Sequence, residues 1–404
     1  MSNKPMQPVP AEDPRSHTRR RALRQMTAAI TAPPLAAASL LASARTHTPQ
    51  PDFDAQALSE LDSLHAKNSH PPTTTNPPPR PRDGWGSGTV PFDGQDRAFT
   101  FGFIGDTPYN RLDQQGLKRV MAGLDDSDLE FVLHVGDIKS RGERCSNLLL
   151  SDRLEMLDRS EHPLIYTPGD NEWTDCGWID PDDPYAPGTP LDRLHWIRSH
   201  VYHHPESLGA RHMRVEQQCQ MIPQLSVQDA NNWKQPRLPE NMRWRIGSLQ
   251  FCTIHMVGSN NAMFSTPAMR EAWALRQQAN AIWLTETAVL AKRYGARGLV
   301  IATHANMGFE AARNDGWTAT RQAIIATAAD FDGPVALLHG DTHIFRTDRM
   351  LLKSHGLENF IRVECFGSPF TWQWVTIHWN PEAATPQRPD PERGPAFKVY
   401  THHA

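Results

Sequence analysis

Five short apolar runs along the chain each stop on an acid or a histidine: AFTFGFIG before Asp106, FVLHVG before Asp137, PLIYTPG before Asp170, LVIAT before His304 and VALLHG before Asp341. Runs this apolar read as buried strands, and a strand that ends in this way presents the final residue at the carboxyl edge of a sheet. Between them lie stretches with apolar residues at helical spacing: RLDQQGLKRVMAGL, LLSDRLEMLDR, PLDRLHWIRSHVYH over 190–203, the long MREAWALRQQANAIWLTETAVLAK, and a segment around 319–329. RWRIGSLQFCTIHMVG predicts a hairpin that turns at Gly247 and Ser248, and NFIRVECF and WQWVTIHW predict two further strands, the last alternating as a half-buried antiparallel strand does. Strands alternating with helices predict a layered α/β domain. Its ligand edge then gathers Asp106, Asp137, Asp170, His304 and Asp341, with His343 two residues on, where open α/β folds bind their ligands.

Carboxylates crowded on one rim repel one another, and a bound cation removes the repulsion. A mixed set of oxygen and nitrogen donors suits Mn, Fe or Zn. The expected class is a metal-dependent hydrolase.

Composition changes the picture mainly at the ends of the chain. The net charge is -4 over 404 residues, but residues 1–44 hold six Lys/Arg against two Asp/Glu, which leaves the rest at -8. An acidic body without a basic face predicts no nucleic-acid-binding surface. Thr18-Arg19-Arg20-Arg21-Ala22-Leu23-Arg24 resembles a twin-arginine consensus, and an Ala-rich stretch from Met26 to Leu41 leads to Ala42-Ser43-Ala44, an A-x-A cleavage pattern. Residues 1–44 are therefore expected to be a signal peptide handed to the twin-arginine export machinery, and the mature protein is expected in a bacterial periplasm with no membrane span. The alternative is a disordered basic tail. Residues 45–95, with PPTTTNPPPRPRDG, predict a Pro/Thr-rich disordered linker. A single catalytic domain is expected over 96–380, followed by a loose Pro-rich tail over 381–404.

The five cysteines include no C-x-x-C pair, which argues against a thiolate zinc site. Cys145 and Cys176 each follow a candidate site strand, and in an oxidising compartment they either form a disulfide or remain two free thiols. Cys252, inside FCTIHMV, reads as core.

Taken in order, GDTPY, HVGDIK, PGDNEW, ATHAN and HGDTH resemble the motif set of the calcineurin-like metallophosphoesterases, which include purple acid phosphatases and carry GD-x-H, GD, GNH-[ED], H and GH-x-H. The resemblance spans roughly residues 98–344, and its strength lies in the order of the motifs. It implies a four-layer α/β/β/α sandwich with two metal ions at one sheet edge, Asp137 bridging them. Asp106 and His343 would bind one ion, and His304, Asp170 and Asp341 the other. It further implies hydrolysis of a small phosphomonoester or phosphodiester by a metal-activated hydroxide.

The chain departs from that pattern at three places. Pro108 stands where the first motif usually has a histidine, so one ion either loses a ligand or recruits Tyr109. In the third motif, one register puts Asp170 at the ligand position and Asn171 at the catalytic histidine, where an amide has no proton to give; the slipped register makes Asn171 the ligand. Asp341 replaces the first histidine of the fifth motif, and the extra carboxylates shift the preference toward Mn, Fe or Mg. Loss of the first- and third-motif histidines leaves open a metal- or phosphate-binding protein of weak turnover, and a third possibility is a hydrolase of non-phosphate esters or amides.

Several other residues have plain readings beside the functional ones. His134 and His339 are either core or groups that orient a ligand, and His255 reads as core. Arg346 would clamp phosphate or form a salt bridge. Trp173, Trp372 and Trp374 would wall a pocket or pack inside, and Ser259-Asn260-Asn261 would line the cleft or form a turn.

Overall fold

The computed structural model describes residues 96–176, 189–218, 238–263, 266–310, 315–384 and 394–404. The leader and linker expected before residue 96 lie outside the described residues, as does Cys219. Among the described residues no helix is long and apolar enough to cross a membrane.

Among the described residues two mixed sheets and six helices build an α/β sandwich. The first sheet holds β1 (Phe99–Ile104), β2 (Val132–His134), β3 (Leu164–Tyr166), β11 (Gln373–Trp379) and β12 (Phe397–His403) in the order β12-β11-β1-β2-β3. The second runs β4-β5-β6-β7-β8-β10-β9, from β4 (Glu216–Gln218), β5 (Leu238–Ile246), β6 (Leu249–Thr253), β7 (Gly298–Ala302), β8 (Val335–His339), β9 (Arg346–Asp348) and β10 (Phe360–Glu364). β1, β2 and β3 are mutually parallel, as are β6, β7, β8 and β10.

Strand alternation sets the layers. On β1, Phe101 faces the second sheet, its ring 5.4 Å from Phe251 of β6 and stacked 5.0 Å from Phe131. The intervening Gly102 faces α1 (Arg111–Asp125), where a Cβ would lie 2.8 Å from Leu124. On β7 and β8, Val300, Ala302, Ala336 and Leu338 join the core between the sheets. Leu299, Ile301, Val335 and Leu337 pack outward with Trp283 and Leu284 of α4 (Pro267–Arg293) and Ile324 of α5 (Thr318–Asp330). The remaining helices are α2 (Asn147–Asp158), α3 (Pro190–Val201) and α6 (Met350–His355). Aromatic rings between the sheets bury large apolar areas and fix their spacing.

The predicted strands and long helices are present, whereas β4, β9, β12 and α6 have no counterpart in the sequence reading. The chain end also differs from its expectation. Residues 381–404 read as a loose tail, yet β12 pairs with β11 from Gln373↔His403 to Trp379↔Phe397. Phe397 is buried against the Trp379 ring at 5.0 Å, and His402 stacks on Trp374 at 5.1 Å. The Pro-rich composition before the strand masked its short alternating pattern. Deleting residues 394–404 is expected to lower stability by about 3 kcal/mol or more, because aromatic surface is uncovered and an edge ladder is lost. Denaturant midpoints of the two proteins check this; equal midpoints would return the segment to a loose tail.

Candidate metal centre

Parallel pairing brings the ends of β1, β2 and β3 level, with Ile104 beside His134 and His134 beside Tyr166. The loops beyond them carry Asp106, Asp137, Asp170 and Asn171, and the loops after β7 and β8 bring His304, Asp341 and His343 to the same edge. Oxygen and nitrogen atoms of Asp106, Asp137 and His304 lie within 4.8 Å of one another, as do those of Asp170, His304 and Asp341. His304 Nε2 is the hub, 3.2 Å from Asp170 Oδ1, 3.5 Å from Asp137 Oδ1 and 3.8 Å from Asp341 Oδ1. His343 Nε2 stands 3.7 Å from Asp106 Oδ1 on the other side.

The backbone holds these residues under strain. Asp106, Asp137, Asp341 and His343 have φ of 53, 59, 81 and 65°, in the left-handed region that non-glycine residues rarely occupy. Such strain persists where the surroundings over-determine it, and it collects at functional sites. The β2 loop fits only because Gly136 has φ 94° and no Cβ; a Cβ there would lie 2.2 Å from the nitrogen of Gly169.

Each donor is aimed by a second group. His304 Nδ1 is 2.8 Å from the Val135 carbonyl and His343 Nδ1 is 2.7 Å from the Ser368 carbonyl. A backbone carbonyl on Nδ1–H turns Nε2 of each ring toward the carboxylates, the arrangement of a metal-binding histidine. The Asp341 amide donates to both oxygens of Asp106 at 3.1 Å, and the Asn306 amide donates to Asp341 Oδ2 at 3.0 Å. Asn171 donates to Asp137 twice, from its backbone nitrogen at 3.0 Å and from Nδ2 at 2.5 Å.

Tyr109 enters the same cluster. Its hydroxyl donates to Asp137 Oδ2 at 2.7 Å and lies 3.1 Å from His343 Nε2 and 3.2 Å from Asn171 Nδ2. It is placed by the start of α1, where Asn110 caps the helix and Asp113 accepts from the Tyr109 amide at 3.1 Å. Burial and the Asp137 carboxylate push the phenol well above its ordinary range, so without a cation it stays protonated.

Buried carboxylates outnumber the positive groups among them. Burial, with the Asp341 and Glu364 carboxylates, pushes Asp106 up to about 8 against the pull of His304. Burial and the neighbouring Asp170 and Glu172 also raise Asp137, and burial with Asp170 raises Asp341. Burial alone would lower His304, but Asp137, Asp170 and Asp106 outweigh it and hold the imidazole well above its usual range. Asp170 stays below the ordinary carboxylate range despite burial because His304 and Ser259 bond to it. A buried set that takes up protons to relieve its own repulsion has the donors and the charge deficit that divalent cations satisfy. The residues present therefore fit a metal centre, and these Asp and His groups can hold metal ions.

Three supporting residues had no role in the sequence reading. Glu172 Oε1 accepts from the Ile138 amide and the Tyr166 hydroxyl, both at 2.9 Å, tying the β3 loop to the β2 loop. Lys139, fully buried, donates to the Asn171 carbonyl at 2.9 Å. Glu364 accepts from the Thr342 amide at 3.1 Å and pairs with Arg346 at 2.7 Å, which makes Arg346 a salt-bridge partner and anchors the Asp341–His343 loop. Glu172, inside PGDNEW, and Lys139, inside HVGDIK, lay where a motif could have flagged them; Glu364 depends on contacts between distant segments. Cys145 and Cys176 form a disulfide with Cα atoms 5.7 Å apart, joining the loops after β2 and β3, while Cys252 and Cys365 are buried and free.

The remaining candidates take their plainer readings. His134 is buried and lies 3.2 Å from the Thr107 carbonyl, and His255 is buried 2.7 Å from Glu240. His339 lies 2.9 Å from the Gly340 carbonyl. Trp173 and Trp374 are core, and Trp372 lies under the Arg119 guanidinium at 4.7 Å.

No protein-family model matches the chain, and no curated protein is similar to it in sequence. Among solved structures it is similar to GAP50, described as the anchor in the inner membrane complex of Plasmodium, at 9% identity and a TM-score of 0.40 over 76% of this chain and 88% of that one. A phosphatase from Mycoplasma pneumoniae matches at 11% identity and a TM-score of 0.37, over 76% of this chain and 94% of the other. Vacuolar Protein Sorting 29 from Cryptosporidium parvum matches at 9% and 0.25, over 76% of this chain and all of its own. Likenesses this loose assign no activity.

Proposed function

We propose that the chain is a metal-dependent phosphoesterase with a dinuclear centre, exported in its mature form, that hydrolyses small phosphomonoesters or phosphodiesters. Asp106, Asp137 and His343 would hold one ion, with Tyr109 beside them. Asp137, Asp170, His304 and Asp341 would hold the other. The observation that carries the reading is the convergence of these donors, with both histidines pinned at Nδ1 so that Nε2 points into the cluster. Fe, Mn and Zn all suit the donor set. When bound, two such ions supply Lewis acidity, acidify water for attack on phosphorus and neutralise phosphate charge.

The chain's own residues then do the rest. Asp137, fastened by Asn171 and Tyr109, is the carboxylate placed between the two donor sets. The Asn171 amide is committed to Asp137 and Tyr109 and has no proton for a leaving group. General-acid assistance at that position is therefore missing, and such assistance is worth about 10²–10⁴-fold. Aryl phosphates, whose leaving groups depart without a proton, should accordingly be cleaved faster than alkyl phosphates by about that factor. The Asn171→His variant should raise the alkyl rate and leave the aryl rate nearly unchanged.

A panel of aryl and alkyl mono- and diesters, assayed on metal-reconstituted protein with metal content measured, tests the proposal. Bound metal with no turnover of any ester would move the assignment to the second reading, a metal- or phosphate-binding protein. That reading draws on Asn171 standing where a proton donor would be needed. Strong competition by vanadate or tungstate would exclude the non-phosphate esters.

A further inference from the structure

We infer that Ser259, carried on a four-residue left-handed turn, is a positioning residue for Asp170, its hydroxyl holding one carboxylate oxygen so that the other faces His304. The inference rests on the two-ion reading above and adds to it a residue outside the proposed ligands.

The turn follows β6 and precedes α4. Ser259, Asn260, Asn261 and Ala262 have φ of 52, 54, 52 and 59°. L residues adopt this conformation singly; in series it is disfavoured because each Cβ crowds the following carbonyl oxygen. Asparagine tolerates it best, which suits the two central positions, but serine and alanine gain nothing from it.

The surroundings hold the turn from several sides. Asn260 Oδ1 accepts from the Gly316 amide at 2.9 Å, and Asn261 Nδ2 donates to the Gly316 carbonyl at 3.3 Å. Arg276, buried and lying over the Trp173 ring at 4.7 Å, donates through Nη2 to the Asn261 carbonyl at 2.9 Å. Trp317 Nε1 donates to the Val257 carbonyl at 2.9 Å, just before the turn. A strained conformation fixed by this many partners has a use elsewhere.

That use lies at the metal centre. Ser259 Oγ is 2.7 Å from Asp170 Oδ2 and 3.2 Å from Asp175 Oδ1. The other oxygen of Asp170 is the one 3.2 Å from His304 Nε2. Gly258 presses the backbone onto the same carboxylates, since a Cβ there would lie 2.6 Å from Asp341 Oδ1 and 2.7 Å from Asp170 Oδ2. Ser259 itself is exposed, but its bond ends on the buried Asp170 carboxylate, and one part-buried hydrogen bond returns less than four successive left-handed residues cost. Four residues of strain are thus unexplained by the bond's own contribution and explained by what it orients.

The test compares wild type with Ser259→Ala and Ser259→Gly in the full mature chain. Both remove the hydroxyl, but only glycine relieves the strain at that position. Binding of Mn²⁺ and of Zn²⁺ is measured by calorimetry, and the unfolding midpoint is measured without metal. The expected result is that both variants bind one of two ions about tenfold or more weakly, as loss of an outer partner of a metal ligand does, whatever their midpoints. Wild type binding two ions with both variants indistinguishable from it would overturn the inference alone. Affinity that falls only in step with the midpoint, lost in the alanine variant and kept in the glycine variant, would reduce the turn to a structural connection. Wild type that binds neither metal would sink the two-ion reading, and this inference with it.

Discussion

Replacing Asp137 with asparagine is expected to cut phosphoester hydrolysis by about a thousandfold or more while the fold survives, since the variant removes the charge between the two donor sets. The backbone tolerates the change. Asp137 sits at φ 59°, and asparagine is among the residues that occupy this region with least strain. The new amide would retain an acceptor for the Asn171 backbone, which now donates to Oδ1 at 3.0 Å. Its nitrogen would face Asn171 Nδ2 and the Tyr109 hydroxyl, which must turn to accept. Without metal the variant should be at least as stable as wild type, because a buried acid surrounded by other acids is gone. Calorimetry with Mn²⁺ or Zn²⁺ should show one ion or none instead of two. Near-wild-type turnover with both ions retained would be fatal to the assignment.

Metal should stabilise the protein more at pH 8 than at pH 5. In the metal-free protein Asp106 titrates near 8, against 3.8 for the ordinary side chain, so between those values the folded state keeps a proton that the unfolded chain has released. Stability therefore falls as pH rises through that window. Asp137 and Asp341, also raised, act in the same direction. His304 is held above its ordinary 6.5; its contribution is complete below that value and is lost as pH climbs through the folded-state pKa. Asp170 is depressed, so its contribution is lost only in acid, below 3.8. All but Asp170 thus weaken the metal-free protein between pH 5 and 8, and ions that replace the protons reverse this. Metal affinity should rise about tenfold per pH unit for each proton displaced. At a thousandfold excess over Kd each ion contributes about 4 kcal/mol, a rise in Tm on the order of 10 °C. Thermal melts with and without Mn²⁺ at the two pH values measure it. An equal or larger shift at pH 5 would show that the clustered acids do not take up protons in the metal-free protein.

The ends of five strands and the spacing of six polar residues were legible in the sequence because buried strands leave a local signature, an apolar run closed by a polar residue. The same reasoning could not say whether Asp170 or Asn171 faces the centre. The structure turns Asp170 toward His304 and Asn171 toward Asp137 and Tyr109. Nor could it decide between a disulfide and two thiols for Cys145 and Cys176, since 31 residues separate them and only the fold brings the loops together. The strand at 397–403 was hidden because an edge strand of seven residues carries little pattern beside a Pro-rich neighbour. Ser259 read either as part of the cleft lining or as a turn, and its approach to Asp170 spans 89 positions.

Periodicity and the residue that closes each run are local properties, so the amino-acid order by itself determined the α/β class, the carboxyl-edge placement of Asp106, Asp137, Asp170, His304 and Asp341, and a set of donors that can hold a cation. Orientation is not local. The nitrogen each histidine presents, the strained backbone beneath four donors, and the neighbours that push Asp106 up and hold Asp170 down were decided only when segments far apart in the chain packed against one another. Hydrogen bonding and desolvation act through space, and distance along the chain does not record them.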